Sequence, residues 1–331
     1  MRLLVVTSRY PTGDRPAAGA FVRDRLHGTS AVVIAPARYD QPGWRRHLSL
    51  TRRALTARGR FDGVEGHFVL PAGPVALLAA RLRGLPLVVY AHGGDVRDMA
   101  ARNRVYRWLA ARVVRGADAV VTNSAESAAH VERLGATPRI VPPGIDLSRF
   151  APSPRPSRRR VLYLGGDVAH KGIGVARRHA DTVLGPGIRE LAPAEIPALL
   201  AEHDVLLVPS VAEPFGLVAA EAIASGRWVV ASAVGGLREI VTDGLNGTLV
   251  VDGDFAGALT RIPDYDPWAV AATASRFSVE RHRAGMDRVW SEVIGRLAGR
   301  RAEPSGEGGA DGAHDAVGDR ATAAEDDHAS G

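Results

Sequence analysis

Of the 42 Lys and Arg residues in this sequence, only Lys171 is a lysine. It lies in the segment GGDVAHKGIG (165–174), after a short apolar run and before a predicted helix at 173–180. This order predicts a loop at the carboxyl end of a strand, where parallel sheets bind anions. A lysine ammonium is a compact point charge, so it suits a single phosphate oxygen better than a planar guanidinium does. The alternative is an ordinary surface lysine, which a drift toward arginine would have replaced as readily as any other.

Two glutamates flank a predicted helix start in PSVAEPFGLVAAEAIASG (209–226). Pro214 suits the first turn, and the free backbone N–H groups of residues 215–217 favour a negative ligand. Glu213 precedes this turn and Glu221 follows two turns later, so the two carboxylates are expected to bind hydroxyls of a sugar and a ribose. The alternative has Glu213 as a cap and Glu221 on a solvated face. However, Glu221 stands in an apolar stretch, where a carboxylate needs partners.

Two segments of the first half also carry candidate residues. In VVYAHGGDV (88–96), His92 ends a predicted strand and the glycines after it permit close approach of a ligand, with Asp95 facing the same cleft. The alternative is a satisfied histidine at a strand end. In RYPTGDRPAAGAFVRDRL (9–26), a loop leads to a helix from about Gly19 that could close over a ligand. No complete GxGxxG follows a strand, which disfavours a nicotinamide cofactor.

Alternating strands and helices must position these residues. Short apolar runs that end in Gly, Pro, Ser or Asn predict buried strands, and they alternate with helices at 74–83, 99–115 and 125–134. This alternation is typical of parallel sheets in an α/β fold. The predicted strands are LLVVTS, AVVIAP, LPLVVYAHGG, DAVVTNS, RIVPPG, VLYLGG, TVLGPG, DVLLVPS, WVVASAV and GTLVV.

Composition shifts divide the chain into two domains. The Pro-rich, polar segment APSPRPSRR (151–159) predicts a linker between a first domain at 1–150 and a second at 160–277. We expect a helix at about 278–300 to pack back on the first domain. Residues 302–331 hold almost no large apolar side chains, which predicts a disordered acidic tail.

The net charge of +6 conceals an uneven distribution. Residues 1–150 carry 23 arginines against 11 acidic residues, whereas residues 302–331 carry one arginine against eight. A basic half suggests phosphates, an anionic membrane face or nucleic acid as a partner. The absence of cysteine excludes disulfides and thiolate chemistry, and no apolar run approaches the roughly 20 residues of a membrane span. We expect a cytoplasmic protein.

One stretch favours the membrane among these partners. In GWRRHLSLTRRALTARGR (43–60), Trp44, Leu48 and Leu55 lie near one side of a predicted helix, surrounded by arginines. Such a helix can lie on an anionic membrane surface, here the inner face. The alternative is a solvated, Arg-rich connection. The arginines are Arg45, Arg46, Arg52, Arg53, Arg58 and Arg60.

Together these stretches resemble the family 4 retaining glycosyltransferases, from residue 1 to about 300. The most specific stretch is EPFGLVAAEAIASGRWVVASAVGGLREIVTDGLNGTLV (213–250), which is similar to the family's two-glutamate donor motif. HFVLPAGPVALLAARLRGLPLVVYAHGGD and VTNSAESAAHVERLGATPRIVPPGIDLSRF look like the acceptor-domain counterparts. YPTGDRPAAGAFVRDRL is similar to the branch that makes bacterial surface polysaccharides. The resemblance implies the GT-B fold, in which two Rossmann-like domains face a cleft.

The resemblance also implies roles for individual residues. Lys171 would hold the diphosphate of a nucleoside-diphosphate sugar, Glu221 its ribose hydroxyls and Glu213 its sugar. His92 would lie beside that sugar at the reacting face, and Gly19 would approach the phosphates. The backbone N–H groups implied near the diphosphate are those of Phe215, Gly216 and Leu217.

The implied reaction is sugar transfer with retention at the anomeric carbon, by front-face attack and without a metal or a cofactor. DGD (252–254) and DYD (264–266) are interpreted as turns rather than metal ligands. The acceptor would be a carbohydrate, a lipid-linked sugar or a small molecule, and nucleic acid is not an expected partner. The alternatives are a GT-B epimerase or phosphorylase, or a non-catalytic binding protein.

Two positions depart from the family pattern. Gly166 stands where the family usually has an arginine that joins the lysine on the diphosphate. From Lys171 to IPALLAEHDVLLVPS there are only about 25 residues, so the second domain is expected to lack roughly one α/β unit.

Overall fold

The computed structural model describes residues 1–13, 15, 18–189 and 191–302, which form two domains built on parallel sheets. Within these residues, six strands of the first domain pair in the order β2-β1-β3-β4-β5-β6. The strands are β1 (Leu3–Thr7), β2 (Val32–Ile34), β3 (Gly63–His67), β4 (Leu87–Ala91), β5 (Ala119–Thr122) and β6 (Arg139–Ile140). The helices are α1 (Ala20–Leu26), α2 (Gly43–Thr56), α3 (Gly73–Arg83), α4 (Arg104–Gly116) and α5 (Ala125–Glu132).

In the described part of the second domain, five parallel strands pair in the order β11-β10-β9-β7-β8. The strands are β7 (Val161–Leu164), β8 (Thr182–Leu184), β9 (Val205–Val208), β10 (Trp228–Ser232) and β11 (Gly247–Val250). The helices are α6 (Ile173–His179), α7 (Ile196–Ala201), α8 (Leu217–Ala224), α9 (Leu237–Ile240), α10 (Phe255–Thr260) and α11 (Pro267–Ala272). The two parallel-sheet domains predicted from the sequence are confirmed. The region predicted to be shortened, from Lys171 to the start of α7, contains α6 and one short edge strand, β8.

The last helix, α12 (Val279–Ala302), returns from the second domain to the first. Its Met286 and Trp290 are buried with Leu3 and Tyr90 in one apolar cluster of the first domain. The packing is close enough to require a glycine in β3, because a Cβ at Gly63 would lie 2.5 Å from the Trp290 ring. The rest of the predicted acidic tail, 303–331, lies outside the described residues.

The connection between the domains is fixed to the second domain by a buried arginine. Arg227 is fully buried and donates hydrogen bonds to the carbonyl oxygens of Ser153 at 3.0 Å and Pro154 at 3.2 Å. Arg155 donates to the buried carboxylate of Asp204 at 2.9 Å. The bonds from Arg227 satisfy backbone carbonyl groups that the Pro-rich segment cannot satisfy by its own pairing. In the described ranges, no helix is both long and apolar enough to cross a membrane.

Candidate active site

The strand order of each sheet determines where a ligand can bind. The chain adds β2 on one side of β1 and β3 on the other, and it adds β8 on one side of β7 and β9 on the other. Parallel α/β sheets bind ligands at such switch points, beyond the carboxyl ends of the strands. The two switch points face each other across a cleft of about 620 Å³. The predicted site residues that line it are His92, Lys171, Glu213, Phe215, Gly216 and Leu217.

Lys171 and Glu213 meet at the switch point of the second sheet. Lys171 ends a 3₁₀ turn after β7, and Gly172 follows it with a φ of 73°. A Cβ at Gly172 would lie 1.9 Å from the carbonyl oxygen of Pro209, so only glycine lets the two loops pack this closely. The Lys171 ammonium consequently lies 2.6 Å from Oε2 of Glu213, and Ser210 also donates to that oxygen at 3.4 Å.

The start of α8 presents unpaired backbone donors to the cleft. Gly216 has a φ of 107°, which turns the chain into the helix. Among the described residues, the backbone N–H groups of Phe215, Gly216 and Leu217 have no acceptor. Gly236 N–H donates to the Glu213 carbonyl at 2.9 Å and so fixes the loop that leads into the helix. Free N–H groups at a helix start, beside a lysine, form a site that suits an anion.

Glu221 lies on the next turn of α8, just beyond the residues that line the cleft. Its side chain is half-buried and makes no hydrogen bond or ion pair within the described ranges. Burial raises the pKa of Glu221 to about 7, although nearby Arg149 opposes the change. A carboxylate that is desolvated without a partner is destabilising in the folded protein, which is typical of a group that serves a ligand.

His92 follows β4 and lies within a group of aromatic rings. Its ring centroid is 4.3 Å from that of Phe68, 4.5 Å from Tyr90 and 4.8 Å from Phe21. These contacts hold the imidazole at the cleft wall of the first domain. The aromatic group could not be predicted from the segment around His92, because Phe21 and Phe68 come from other elements.

Asp95 also borders the cleft, but it organises loops rather than offering a free carboxylate. It begins one turn of π-helix, Asp95–Met99, and is buried. Its two oxygens accept the backbone N–H groups of Val69 at 2.6 Å and His92 at 2.9 Å. Burial raises the pKa of Asp95 to about 6, against the effect of these hydrogen bonds.

Gly19 caps α1 with a φ of 67°, and a Cβ there would lie 2.3 Å from the carbonyl oxygen of Arg9. Gly19 is absent from the described cleft lining, whereas Arg9 belongs to it. The Arg9 guanidinium lies 5.7 Å from the Phe68 ring centroid. No ion pair to it is found in the described chain. Arg97 also lines the cleft, but Asp98 pairs with it at 2.7 Å.

Sequence reasoning missed a buried group of charged and polar side chains behind His92. Glu65 and His67 lie on β3, whose five residues GVEGH are all buried. Because β3 contains a single large apolar residue, its hydrophobic pattern does not predict a strand. The available signal was topological, since a strand is needed between α2 and α3 to continue the alternation.

The two acidic triplets lie away from the cleft. Asp254 and Asp266 cap α10 and α11 through hydrogen bonds to backbone N–H groups, and Asp264 pairs with Arg155. Among the described residues, no group of three His, Cys, Asp or Glu side chains is arranged to hold a metal ion.

Two domains built on parallel sheets face one cleft, with Lys171, Glu213 and the start of α8 on one wall, and this is the architecture of the GT-B fold. Family models agree: residues 1–144 match a glycosyl transferase 4-like domain, and residues 155–262 match glycosyl transferases group 1. The chain belongs to the group 1 glycosyltransferases.

Relatives in this family differ in what they act on. The chain is 33% identical over 312 residues to D-inositol 3-phosphate glycosyltransferase 1 of Catenulispora acidiphila, covering 75% of this chain and 73% of the relative. It is 34% identical over 281 residues to a D-inositol 3-phosphate glycosyltransferase of Geodermatophilus obscurus, covering 64% of this chain but only 62% of that relative's length. In an alignment of 355 positions it is 29% identical to glycogen synthase of Mycobacterium tuberculosis, and the match covers 88% of this chain and 84% of the relative.

Solved structures share the fold. The Anabaena protein HepE in complex with UDP superposes with a TM-score of 0.66 at 21% identity, covering 88% of this chain and all of that one. Sucrose-phosphate synthase of Thermosynechococcus elongatus superposes with a TM-score of 0.69 at 19% identity, covering 89% of this chain and 99% of that one.

Proposed function

We propose that this protein transfers a sugar from a nucleoside-diphosphate sugar to an acceptor hydroxyl, with retention of configuration at the anomeric carbon. The observation that carries the proposal is the wall of the second domain. There Lys171, Glu213 and the free N–H groups at the start of α8 lie around one switch point, and Glu221 lies one turn further along α8. The HepE structures that contain UDP and UDP-glucose support a donor of this class.

The donor would lie along α8 with its charge at the helix start. Its diphosphate would take up the Lys171 ammonium and the N–H groups of residues 215–217, because both favour an anion. Glu221 would accept hydrogen bonds from the ribose hydroxyls, and Glu213 would contact the donor sugar. These roles come from the family resemblance, and the positions of Glu213 before α8 and Glu221 on its second turn are consistent with them.

The chemistry would need no protein nucleophile. As the bond between the anomeric carbon and the diphosphate oxygen breaks, the acceptor oxygen forms a bond to that carbon on the same face. The departing diphosphate takes the acceptor's proton. Lys171 and the helix-start N–H groups would stabilise the negative charge that develops on the leaving group, which is the main electrostatic contribution available here. Neither a metal ion nor a cofactor has a step in this scheme.

Arg9 is the best candidate to replace the arginine that is missing at Gly166. Gly166 supplies only backbone, and its carbonyl accepts a hydrogen bond from Tyr163 at 3.0 Å. Arg97 is already paired with Asp98, whereas the Arg9 guanidinium lies exposed at the rim of the cleft. We infer that Arg9 supplies the second positive charge from the opposite domain.

We also propose that the first domain binds an anionic membrane surface at its outer helices. On α2, Trp44 and Leu48 are 63% and 64% exposed beside four arginines, and on α4 Trp108 is 60% exposed among further arginines. Leu55 does not belong to this face, because it packs against the core of the first domain. Basic helices that expose Trp suit an anionic lipid interface. An acceptor held at the inner face, in surface-polysaccharide or glycolipid synthesis, would be consistent with this surface.

A panel of nucleotide sugars tests the donor proposal. We expect one class to raise the melting temperature of the wild-type protein, since a ligand that binds the folded state stabilises it by mass action. Lys171→Ala should lose that stabilisation and nearly all turnover. Arg177→Ala is the matched control, because Arg177 is exposed and pairs with Asp167 outside the cleft lining.

The outcome also separates the alternative functions. Turnover that requires inorganic phosphate indicates a phosphorylase, and conversion of the donor without transfer indicates an epimerase. Binding without turnover across the panel indicates a non-catalytic protein. Full activity of Lys171→Ala would refute the assigned donor site.

A further inference from the structure

A chain of hydrogen bonds runs from His92 into the interior of the first domain and ends at a buried carboxylate. His92 Nε2 lies 3.0 Å from His67 Nδ1, and His67 Nε2 lies 2.8 Å from Oε1 of Glu65. Glu65 is 0% exposed and His67 is 1% exposed. The chain is possible because β3 and β4 are neighbours in register, with His67 opposite Tyr90.

Glu65 is ionised, which fixes the direction of the first hydrogen bond. Burial alone would raise the pKa of Glu65. The opposing effects are stronger and lower this pKa well below its usual range: the Arg25 guanidinium donates to both carboxylate oxygens, and His67 and Trp290 donate further hydrogen bonds. The Trp290 indole of α12 donates at 3.1 Å. A carboxylate can only accept hydrogen bonds, so His67 must carry its hydrogen on Nε2.

The direction of the second hydrogen bond follows. Burial lowers the pKa of His67 despite the neighbouring carboxylate, so its ring is neutral and Nδ1 is a lone-pair acceptor. His92 must then donate through Nε2–H. Burial, with added repulsion from the charged Arg9, lowers the pKa of His92 well below its usual range. His92 is therefore also neutral, and its remaining nitrogen, Nδ1, is an acceptor.

Nδ1 of His92 makes no hydrogen bond to the described chain, and His92 borders the cleft. The contacts with Phe21, Phe68 and Tyr90 prevent the ring from turning freely. The interior of the domain therefore determines both the position of this ring and which hydrogen-bonding groups its nitrogens offer.

We propose that Glu65 and His67 are positioning residues that hold His92 in its Nε2–H form, so that Nδ1 accepts a hydrogen bond from a hydroxyl of the sugar in the cleft. The identity of the ligand as a sugar rests on the proposed function. A neutral acceptor at this place favours a group that donates, and it disfavours a carboxylate or phosphate oxygen.

The tautomer is measured directly by long-range ¹H–¹⁵N NMR of the full chain labelled at histidine, with the His92 signals assigned from their loss in His92→Gln. We expect protonated Nε2 and unprotonated Nδ1 at pH 7. This measurement needs no substrate. Absence of sugar transfer would therefore refute the proposed function alone, and an Nδ1–H form of His92 would refute this inference alone.

Two variants of His67 separate positioning from packing. The terminal atoms of asparagine lie near the imidazole Nδ1 position, so His67→Asn can still accept from His92. Those of glutamine lie near Nε2, so His67→Gln keeps the contact with Glu65 instead. We expect His67→Asn to retain the tautomer and most of kcat/KM, and His67→Gln to lose the tautomer and about tenfold in kcat/KM, the effect of one hydrogen bond.

His282→Asn is the matched control. His282 is another buried histidine beside Tyr90, but it takes no part in the hydrogen bonds that link His92, His67 and Glu65. Asparagine at position 282 can keep the hydrogen bond to the Pro142 carbonyl. It should leave the His92 signals unchanged. Equal losses of kcat/KM in both His67 variants, with the tautomer intact in both, would show that His67 contributes only packing.

Discussion

Replacing Glu221 by glutamine should stabilise the protein and weaken nucleotide binding at the same time. The substitution keeps the size of the side chain and removes the charge that burial destabilises. The pKa of Glu221 is raised from 4.5 to about 7 in the folded protein, so the unfolded chain loses its proton first as the pH rises. The folded state is therefore disfavoured progressively between pH 4.5 and 7, and fully above pH 7.

The size of the effect follows from this pKa. At pH 8 a carboxyl with these two pKa values costs the folded state at most about 3 kcal/mol, and at pH 5 at most about 1 kcal/mol. Glu221 keeps part of its surface in water, so screening reduces the value at pH 8 to about 1–2 kcal/mol. For a chain of this size, that corresponds to a rise in melting temperature of about 2–3 °C.

The assay is thermal unfolding at pH 5 and pH 8 together with calorimetric titration of UDP, or of the nucleotide that the donor panel selects. We expect the gain of Glu221→Gln to be larger at pH 8, and its nucleotide affinity to fall about 10–100-fold, the loss of hydrogen bonds to a charged acceptor. Glu202→Gln is the control, because Glu202 is exposed at the end of α7. A gain that is the same at both pH values, or unchanged affinity, would refute the reasoning.

Three further variants test other parts of the structure. Glu213→Gln should lower turnover more than it lowers affinity for the bare nucleotide, whereas Glu221→Gln should do the reverse. Parallel losses in both variants would contradict the assignment of Glu213 to the donor sugar and Glu221 to the ribose. Gly172→Ala should displace the Lys171 loop from Pro209, weaken nucleotide binding and lower turnover at least tenfold. Gly174→Ala on α6 should do neither, because a Cβ there meets only the end of the Arg178 side chain, at 3.9 Å. Sedimentation with anionic vesicles, and not with neutral ones, is expected for the wild type and should weaken as salt rises; protein that stays in the supernatant at low salt would exclude the membrane surface. In the variant expected to abolish that binding, Gln replaces four arginines of α2: Arg45, Arg46, Arg52 and Arg53.

Strands in which apolar residues dominate could be predicted from the sequence, but β3 could not. β3 is fully buried, yet its core positions hold Glu65 and His67, which hydrophobic patterning reads as polar. Burial is possible there because Arg25 and Trp290 satisfy the carboxylate. Trp290 lies 225 residues away in sequence, so no local pattern could reveal the pairing.

The candidate site, too, could be predicted from the sequence only in part. The residue types near 171 and 213–221 predicted an anion site at strand ends, and the parallel topology explains why the two loops meet. The ion pair between Lys171 and Glu213 could not be predicted, because it depends on the close approach that Gly172 permits. The arrangement of Asp95 could not be predicted either, since a sequence does not show which backbone N–H groups a carboxylate will accept.

Proton NMR of the first sugar released from the donor tests the central proposal most directly. The full chain is mixed in EDTA with the nucleotide sugar that stabilises it best, and water serves as acceptor when no other is known. We expect the sugar to appear with the anomeric configuration it had in the donor, together with one equivalent of nucleoside diphosphate, and we expect Lys171→Ala to release neither. A sugar of the opposite configuration, or no release from any nucleotide sugar, would contradict the proposal.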